Sequence, residues 1–221
     1  MGAYEGLSRY FKDGVIQKAN ELGYGEFLIS ILKGDEEILE QKYNSVWNEL
    51  KKCKYHIENK TPIDFGRDMI STWMFEDCVI GTLKKSGLDI TYGKDYVTRK
   101  KFTTRPDVLN NSVFINTSTH TFNLIIRADY TGAWTKTGTL VLRESQYKKL
   151  KNKNMILLGL STIDNKLILL NHTSLSNVRH IESYEPYNNK SVYEINIPET
   201  AICNFTIPTM VKEIKNYCLY K

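Results

Sequence analysis

Gly87 separates two kinds of pattern in this chain, and the change across it limits the fold more than any other feature. Before it, the stretch DFGRDMISTWMFEDCVIGTLKKSG, residues 64–87, carries Met69, Ile70, Trp73, Met74, Phe75, Val79, Ile80 and Leu83. Placed at 100° intervals these residues cover most of a helix's circumference, so a helix here must be buried. Glycine at position 87 can take the left-handed conformation that stops it. After Gly87 come the short strand-like segments DITYGKDYVTRKKF, RPDVLNNSVFI and THTFNLIIRADY. A basic helical stretch, LRESQYKKLKN, follows, and then NMILLGLSTIDNKLILLNH, two strongly apolar strands joined by the turn IDNK. A buried helix, three strands, a helix and two more strands predict an α/β (α+β) fold in which helices flank a mixed central sheet.

The first sixty residues predict helices. In GDEEILEQKYNSVWNELKK the apolar positions Leu39, Tyr43, Val46, Trp47 and Leu50 recur at helical spacing, and Asp35, Glu36 and Glu37 fall in the first turn, where the helix dipole favours acids. KCKYHIENKTP then reads as a linker. The expected organisation is a helical N-terminal region, 1–60, and an α/β domain, 61–221, forming one compact unit; 221 residues suffice for a full core. The tail from Ser174 contains the strand-like SVYEINIP and an amphipathic TMVKEIKNYCLY.

Several classes are disfavoured. Cys53, Cys78, Cys203 and Cys218 form no CxxC pair, and none of the four histidines stands at zinc-ligand spacing to a cysteine. The first residues, MGAYEGLSRYFKDG, have no apolar signal core, and no segment approaches the roughly 18 apolar residues of a membrane span. The expectation is a cytoplasmic protein with free thiols and no membrane partner. The net charge of +5 is small but clustered: KDYVTRKKFTTR, 94–105, and RESQYKKLKNK, 143–153, each hold five basic residues and one acid. A solvated face is the ordinary meaning of one such run. Two runs flanking one polar strand favour a phosphate-binding surface.

That strand is TFNLIIRADY. Alternation puts Phe122, Leu124, Ile126, Ala128 and Tyr130 on one face and Asn123, Ile125, Arg127 and Asp129 on the other. The simplest meaning is a half-buried strand with an Arg127–Asp129 surface pair. The functional meaning draws in Pro106-Asp107 on the preceding strand and Glu76. Glu76 lies in the otherwise apolar stripe Met69, Trp73, Glu76, Ile80, Leu83, where a carboxylate needs a partner or a metal. Metal-assisted phosphodiester hydrolysis requires two or more carboxylates close together to hold a hard cation, and a positive group to steady the charge that develops on phosphate.

Over residues 64–172, the order of a long helix with an inward Glu, a strand, a strand with Pro-Asp, a strand, a basic helix and a strand resembles the restriction-endonuclease-like fold of the PD-(D/E)XK phosphodiesterase superfamily. The resemblance implies that Asp107 and an acid-x-Lys on the next strand hold magnesium, or manganese in its place, and position the attacking water. It also implies double-stranded DNA as substrate.

The acid-x-Lys departs from the pattern, and two registers are open. In the first, Ile125-Ile126-Arg127 stands at its position. Arginine keeps the charge but cannot serve as a base, and isoleucine cannot bind metal, so Glu76 or Asp129 must supply the second carboxylate alongside Asp107. In the second, Asp129 is the first acid, YTGAWTKTG is a hairpin turn, and Glu144-Ser145-Gln146 replaces acid-x-Lys. The DNA-contacting residues expected in either case are Lys100, Lys101, Arg105, Tyr130, Trp134, Arg143, Lys148 and Lys149, with Tyr147 and Lys151 beside them.

The leading expectation is a magnesium-dependent endonuclease of restriction or mobile-element type, dimeric if it cuts both strands. The competing ones are a DNA-binding protein that keeps the fold without catalysis, and a structural or protein-interaction subunit.

Overall fold

The computed structural model describes residues 25–42, 44–52, 61–93, 113–129, 133–161, 164–175, 177–185 and 189–219, with isolated positions before residue 25; the side chains of residues 27, 28, 45, 46, 49, 52, 65, 67–74 and 219 lie outside this set. Its contacts divide the chain into two compact units, one of residues 1–82 and 97–108, the other of residues 83–96 and 109–221.

The first unit is helical where it is described: α1 (Gly25–Lys33), α2 (Glu36–Lys42), α3 (Asn44–Lys52) and most of α4 (Pro62–Lys85). Tyr43, expected in the same stripe, lies outside the described residues. The Asp35 carboxylate accepts a hydrogen bond from the Ile38 amide at 3.1 Å, capping α2. Thr61 and Asp64 form a reciprocal cap at the start of α4: the Asp64 amide donates to Thr61 Oγ1 at 3.2 Å, and the Thr61 hydroxyl donates to Asp64 Oδ2 at 2.7 Å. Pro62 then occupies the first helical position, where its missing N–H is harmless. Ile31, Leu39, Trp47 and Leu50 form the core of this unit. Gly66 lets α4 approach it closely, since a Cβ there would lie 2.8 Å from Ile31 Cδ1 and 3.0 Å from Leu50 Cδ1.

The long helix ends as its sequence implies. Gly87 has φ +90°, its amide donates to the Lys84 carbonyl at 2.9 Å, and the Leu88 amide donates to the Leu83 carbonyl at 3.3 Å. This is a Schellman cap, with Leu83 and Leu88 both buried.

The second unit holds two sheets and fits the α+β class. The larger has strand order β1-β2-β3-β5-β6-β9. β1 (Asp89–Tyr92), β2 (Val113–Asn116) and β3 (Thr121–Asp129) form an antiparallel meander; β5 (Met155–Ser161) lies parallel to β3; β6 (Lys166–Leu170) and β9 (Ile202–Asn204) follow antiparallel. A parallel pair requires a crossover. Here it consists of α5 (Ala133–Thr137), β4 (Thr139–Arg143) and α6 (Glu144–Leu150). β4 pairs with β8 (Lys190–Asn196), which pairs with β7 (Val178–Tyr184), giving a second sheet of order β4-β8-β7.

Both faces of the large sheet are covered. On one, Phe122 meets Tyr217 of α7 (Ile207–Leu219) edge-on at 5.6 Å, and Met210, Ile214 and Cys218 form the buried stripe of that helix. On the other, Ile125, Leu157, Ile168 and Leu170 pack with Trp134, Leu140, Leu142, Leu150 and Ile195 in one continuous cluster. Alternation alone leaves that second face of β3 mostly polar. The structure corrects this, because the second sheet and α6 cover it and Ile125 is 5% exposed. All seven residues of β5 are buried, as a strand at a parallel pairing with both faces covered requires.

Candidate active site

At the level where β3 and β5 end side by side, the covered face of the sheet turns polar. The register pairs Asp129 with Ser161, Ser161 with Lys166, and Lys166 with Asn204, so four polar residues cross four adjacent strands in one row. Paired residues project to the same face. Ser161 is 1% exposed and is the single side-chain-polar residue of its strand. Two strand spacings put the Cα atoms of Asp129 and Lys166 about 10 Å apart.

The turn after β5 adds a second carboxylate. Asp164 Oδ2 accepts hydrogen bonds from the Thr135 hydroxyl of α5 and from the Ser161 hydroxyl, the latter at 3.4 Å. Asn165 takes φ +50°, a conformation asparagine tolerates, and β6 begins at Lys166. Lys166 Nζ donates to Asn204 Oδ1 at 2.6 Å, which fixes the ammonium group over the strand pair.

Two residue pairs deeper, on the same face, Arg127 stands opposite Gly159. Its Nη1 donates to the Val141 carbonyl of β4 at 2.8 Å, joining the two sheets. Two pairs deeper still is Ile125, enclosed in the core. In the first register, then, the acid position is a core side chain and the lysine position is an arginine bound to a backbone carbonyl. Asp129 is half-buried at the strand end, and Glu76 is 4% exposed in the first unit, as its place in an apolar stripe implies.

The hairpin that the second register needs is not the one formed. β3 has β2 and β5 as neighbours, and residues 133–137 of the expected turn are helix. Leu140 and Leu142 instead face the core from the second sheet, and Glu144-Ser145-Gln146 opens α6. The Arg143 amide donates to Gln146 Oε1 at 3.0 Å, closing the helix N-terminus, while the Arg143 side chain is exposed. Exposed Glu144 pairs with Lys148 at 2.6 Å. That hydrogen bond holds the Glu144 carboxyl below its ordinary range and raises the Lys148 ammonium.

Among the residues expected to meet DNA, Trp134 is 3% exposed and belongs to the core. Tyr147 stacks on Tyr193 at 3.9 Å, and Lys151 Nζ lies 5.5 Å from the Tyr147 ring centroid. Lys148 is exposed and Lys149 half-buried on the same helix. Asp107, Lys100, Lys101, Arg105 and Tyr130 lie outside the described residues.

Ser161, Asp164 and Lys166 were not singled out from sequence. The available signal was Asp164-Asn165-Lys166, an acid-x-Lys spacing that Asp-Asn disguises as an ordinary turn. As possible metal donors, Asp129, Asp164 and Ser161 offer only oxygen atoms, the donor type a hard divalent cation takes. Among the described residues no group of three or more His, Cys, Asp and Glu side chains stands at metal-binding distance. Comparison with protein-family models, curated proteins and solved structures gives no match.

Proposed function

We propose that this chain is a magnesium-dependent endonuclease acting on double-stranded DNA, with the restriction-endonuclease-like fold. The observation that carries the reading is the position of Asp129. It ends a strand that is third in an antiparallel meander and parallel to the strand after a crossover, and it is flanked there by a buried serine and a lysine. The described residues hold a long helix, three strands, a helix-containing crossover and a parallel strand, which supports the reading; the Pro106-Asp107 expected on the second of those strands lies outside them.

Asp129 would hold the cation, which when bound would neutralise charge on the scissile phosphate and acidify a water; Asp107, the partner carboxylate that the resemblance implies, lies outside the described residues. The chain's own groups do the rest. Arg127 is tied to the second sheet and holds the floor of the site, and the lysines of α6 attract the phosphate backbone. Cutting both strands calls for two such sites and hence a homodimer.

The test is incubation of purified protein with supercoiled plasmid and magnesium or manganese, beside Asp107→Ala and Asp129→Ala. Loss of cleavage in the variants is the expected result, and undiminished cleavage in both overturns the reading. A second reading, a DNA-binding protein of the same fold without catalysis, is favoured by the enclosure of Ile125 in the core at the position of the usual acid. It predicts a salt-dependent gel shift with no cleavage in either metal.

A further inference from the structure

We infer that the cavity between α7 and the β6–β9 edge of the large sheet binds a small primary amine that also carries an apolar group and a neutral hydrogen-bond acceptor, whether or not the chain cuts DNA. Leu167 pairs with Cys203 across β6 and β9, so both project to one face, which Leu169, two residues along β6, shares. Lys166 and Ile168 project to the opposite face, so the cavity is separate from the polar row that begins at Asp129. Glu213, Asn216 and Tyr217, at positions i, i+3 and i+4 of α7, line the other side, and the space between is about 240 Å³. Pockets for drug-sized ligands run from roughly 300 to 1,000 Å³, so the occupant here is smaller.

Two polar groups define what it carries. Among the described residues Glu213 is the one charged side chain lining the cavity, and it makes no hydrogen bond or ion pair there. It is half-buried, and its lysine neighbours do not neutralise it. Lys212 and Lys215 stand one and two residues away, spacings that do not face each other on a helix, and Lys215 Nζ donates instead to the Ser86 carbonyl at 2.6 Å. A carboxylate in a concave site with a leucine floor favours a cation that donates hydrogen bonds. The second group is Asn171, 9% exposed. Its Oδ1 accepts from the Thr173 amide at 2.7 Å and from the Thr173 hydroxyl at 2.6 Å. A backbone N–H can only donate, so this end of the side chain is the oxygen, and the amide nitrogen is left without an acceptor. A buried donor without an acceptor is costly, and a neutral oxygen on the ligand removes that cost. Leu167 and Leu169 take the apolar part.

A mere packing gap between a helix and a sheet edge would take charged and neutral molecules of one shape alike. That consequence separates the two accounts.

The experiment uses the full chain and reads the cavity through Cys203, a free, half-buried thiol on its wall. A disulfide reagent is added with increasing L-leucinamide, which has an ammonium group, a carboxamide and an isobutyl group. Isocaproamide, the same molecule without the ammonium group, and isoamylamine, the same without the carboxamide, are run beside it. Peptide mass spectrometry follows Cys203, with Cys78 of the other unit as internal reference. Expected is a saturable slowing of Cys203 labelling by leucinamide with Cys78 unaffected. Half-saturation should rise about tenfold or more for isocaproamide, and equally for leucinamide with Glu213→Gln; for isoamylamine it should rise about threefold or more. Cys203 labelling that leucinamide does not slow overturns the inference, as does equal half-saturation by isocaproamide or in Glu213→Gln. Equal half-saturation by isoamylamine overturns the part given to Asn171.

Discussion

Replacing Gly159 by alanine should destabilise the chain through one contact. A Cβ built on Gly159 lies 2.6 Å from Ile168 Cγ1 and 3.0 Å from its Cδ1, whereas Leu157 Cδ2 is a comfortable 3.8 Å away. Ile168 cannot swing aside cheaply: it is 0% exposed, in the cluster that joins the two sheets. Overpacking of this kind costs about 1–3 kcal/mol, and the restriction alanine places on the unfolded chain returns about 0.4–1 kcal/mol. The net expectation is a loss of roughly 1–2 kcal/mol, or about 2–8 °C in the melting temperature of a chain this size. Urea unfolding followed by far-UV circular dichroism measures it. Ile168→Ala removes both crowded carbons, so the Gly159→Ala methyl should fill part of the hole it leaves, and the double variant should be more stable than the sum of the single losses predicts. An unchanged urea midpoint for Gly159→Ala, or strictly additive losses, would refute the register argued for β5 and β6.

Arg127→Met should remove the bond to the Val141 carbonyl and leave that group short of a partner, costing about 1–3 kcal/mol in urea unfolding whether or not the protein cuts DNA. Burial pushes the Cys218 thiol up to about 12, so at pH 8 a thiol-specific reagent should label half-buried Cys203 well before Cys218. The same shift fixes a sign: the unfolded thiol ionises near its ordinary value while the folded one keeps its proton, so stability falls as pH rises from about 9 towards 12, and a Cys218→Ser variant should lose that alkaline slope.

The long helix and the β5–β6 hairpin were legible because their signals are local. The first has an apolar circumference ended by Gly87, and the second has two apolar runs on either side of an Asp-Asn turn. β4 was not legible. TLVLR is five residues between two helices, and the strand it pairs with, β8, lies far along the chain, so nothing near Thr139 announces a second sheet. The same sheet is why Ile125 was placed on a polar face: its cover comes from Leu140, Leu142 and Ile195, and alternation within TFNLIIRADY carries no information about them. Gln146, read as a stand-in for the catalytic lysine, closes a helix N-terminus, a role its spacing from Arg143 also fits. Asp129 could be found from its strand. Ser161 and Lys166 could not, because only the parallel crossover brings β5 beside β3, and parallel register has no local signature.

The three central strands nevertheless change character together. Along β3 the covered face runs Ile125, Arg127, Asp129; along β5 it runs Leu157, Gly159, Ser161; along β6, read towards its start, Leu170, Ile168, Lys166. Core side chains give way to polar ones at one level in β3 and in the β5–β6 hairpin, which the crossover separates in sequence. A strand that merely frayed into solvent would show such a change by itself, at its own end. Here Ser161 is still buried at the level of the change, and its hydroxyl is satisfied by the Asp164 carboxylate. Exposure to water does not account for that choice, whereas the bond that ties the end of β5 to the turn before β6 does. Ser161→Val therefore tests the bond: losing the donor to Asp164 should cost about 0.5–1.5 kcal/mol in urea unfolding, and an unchanged or raised midpoint would show that the hydroxyl contributes nothing to the fold.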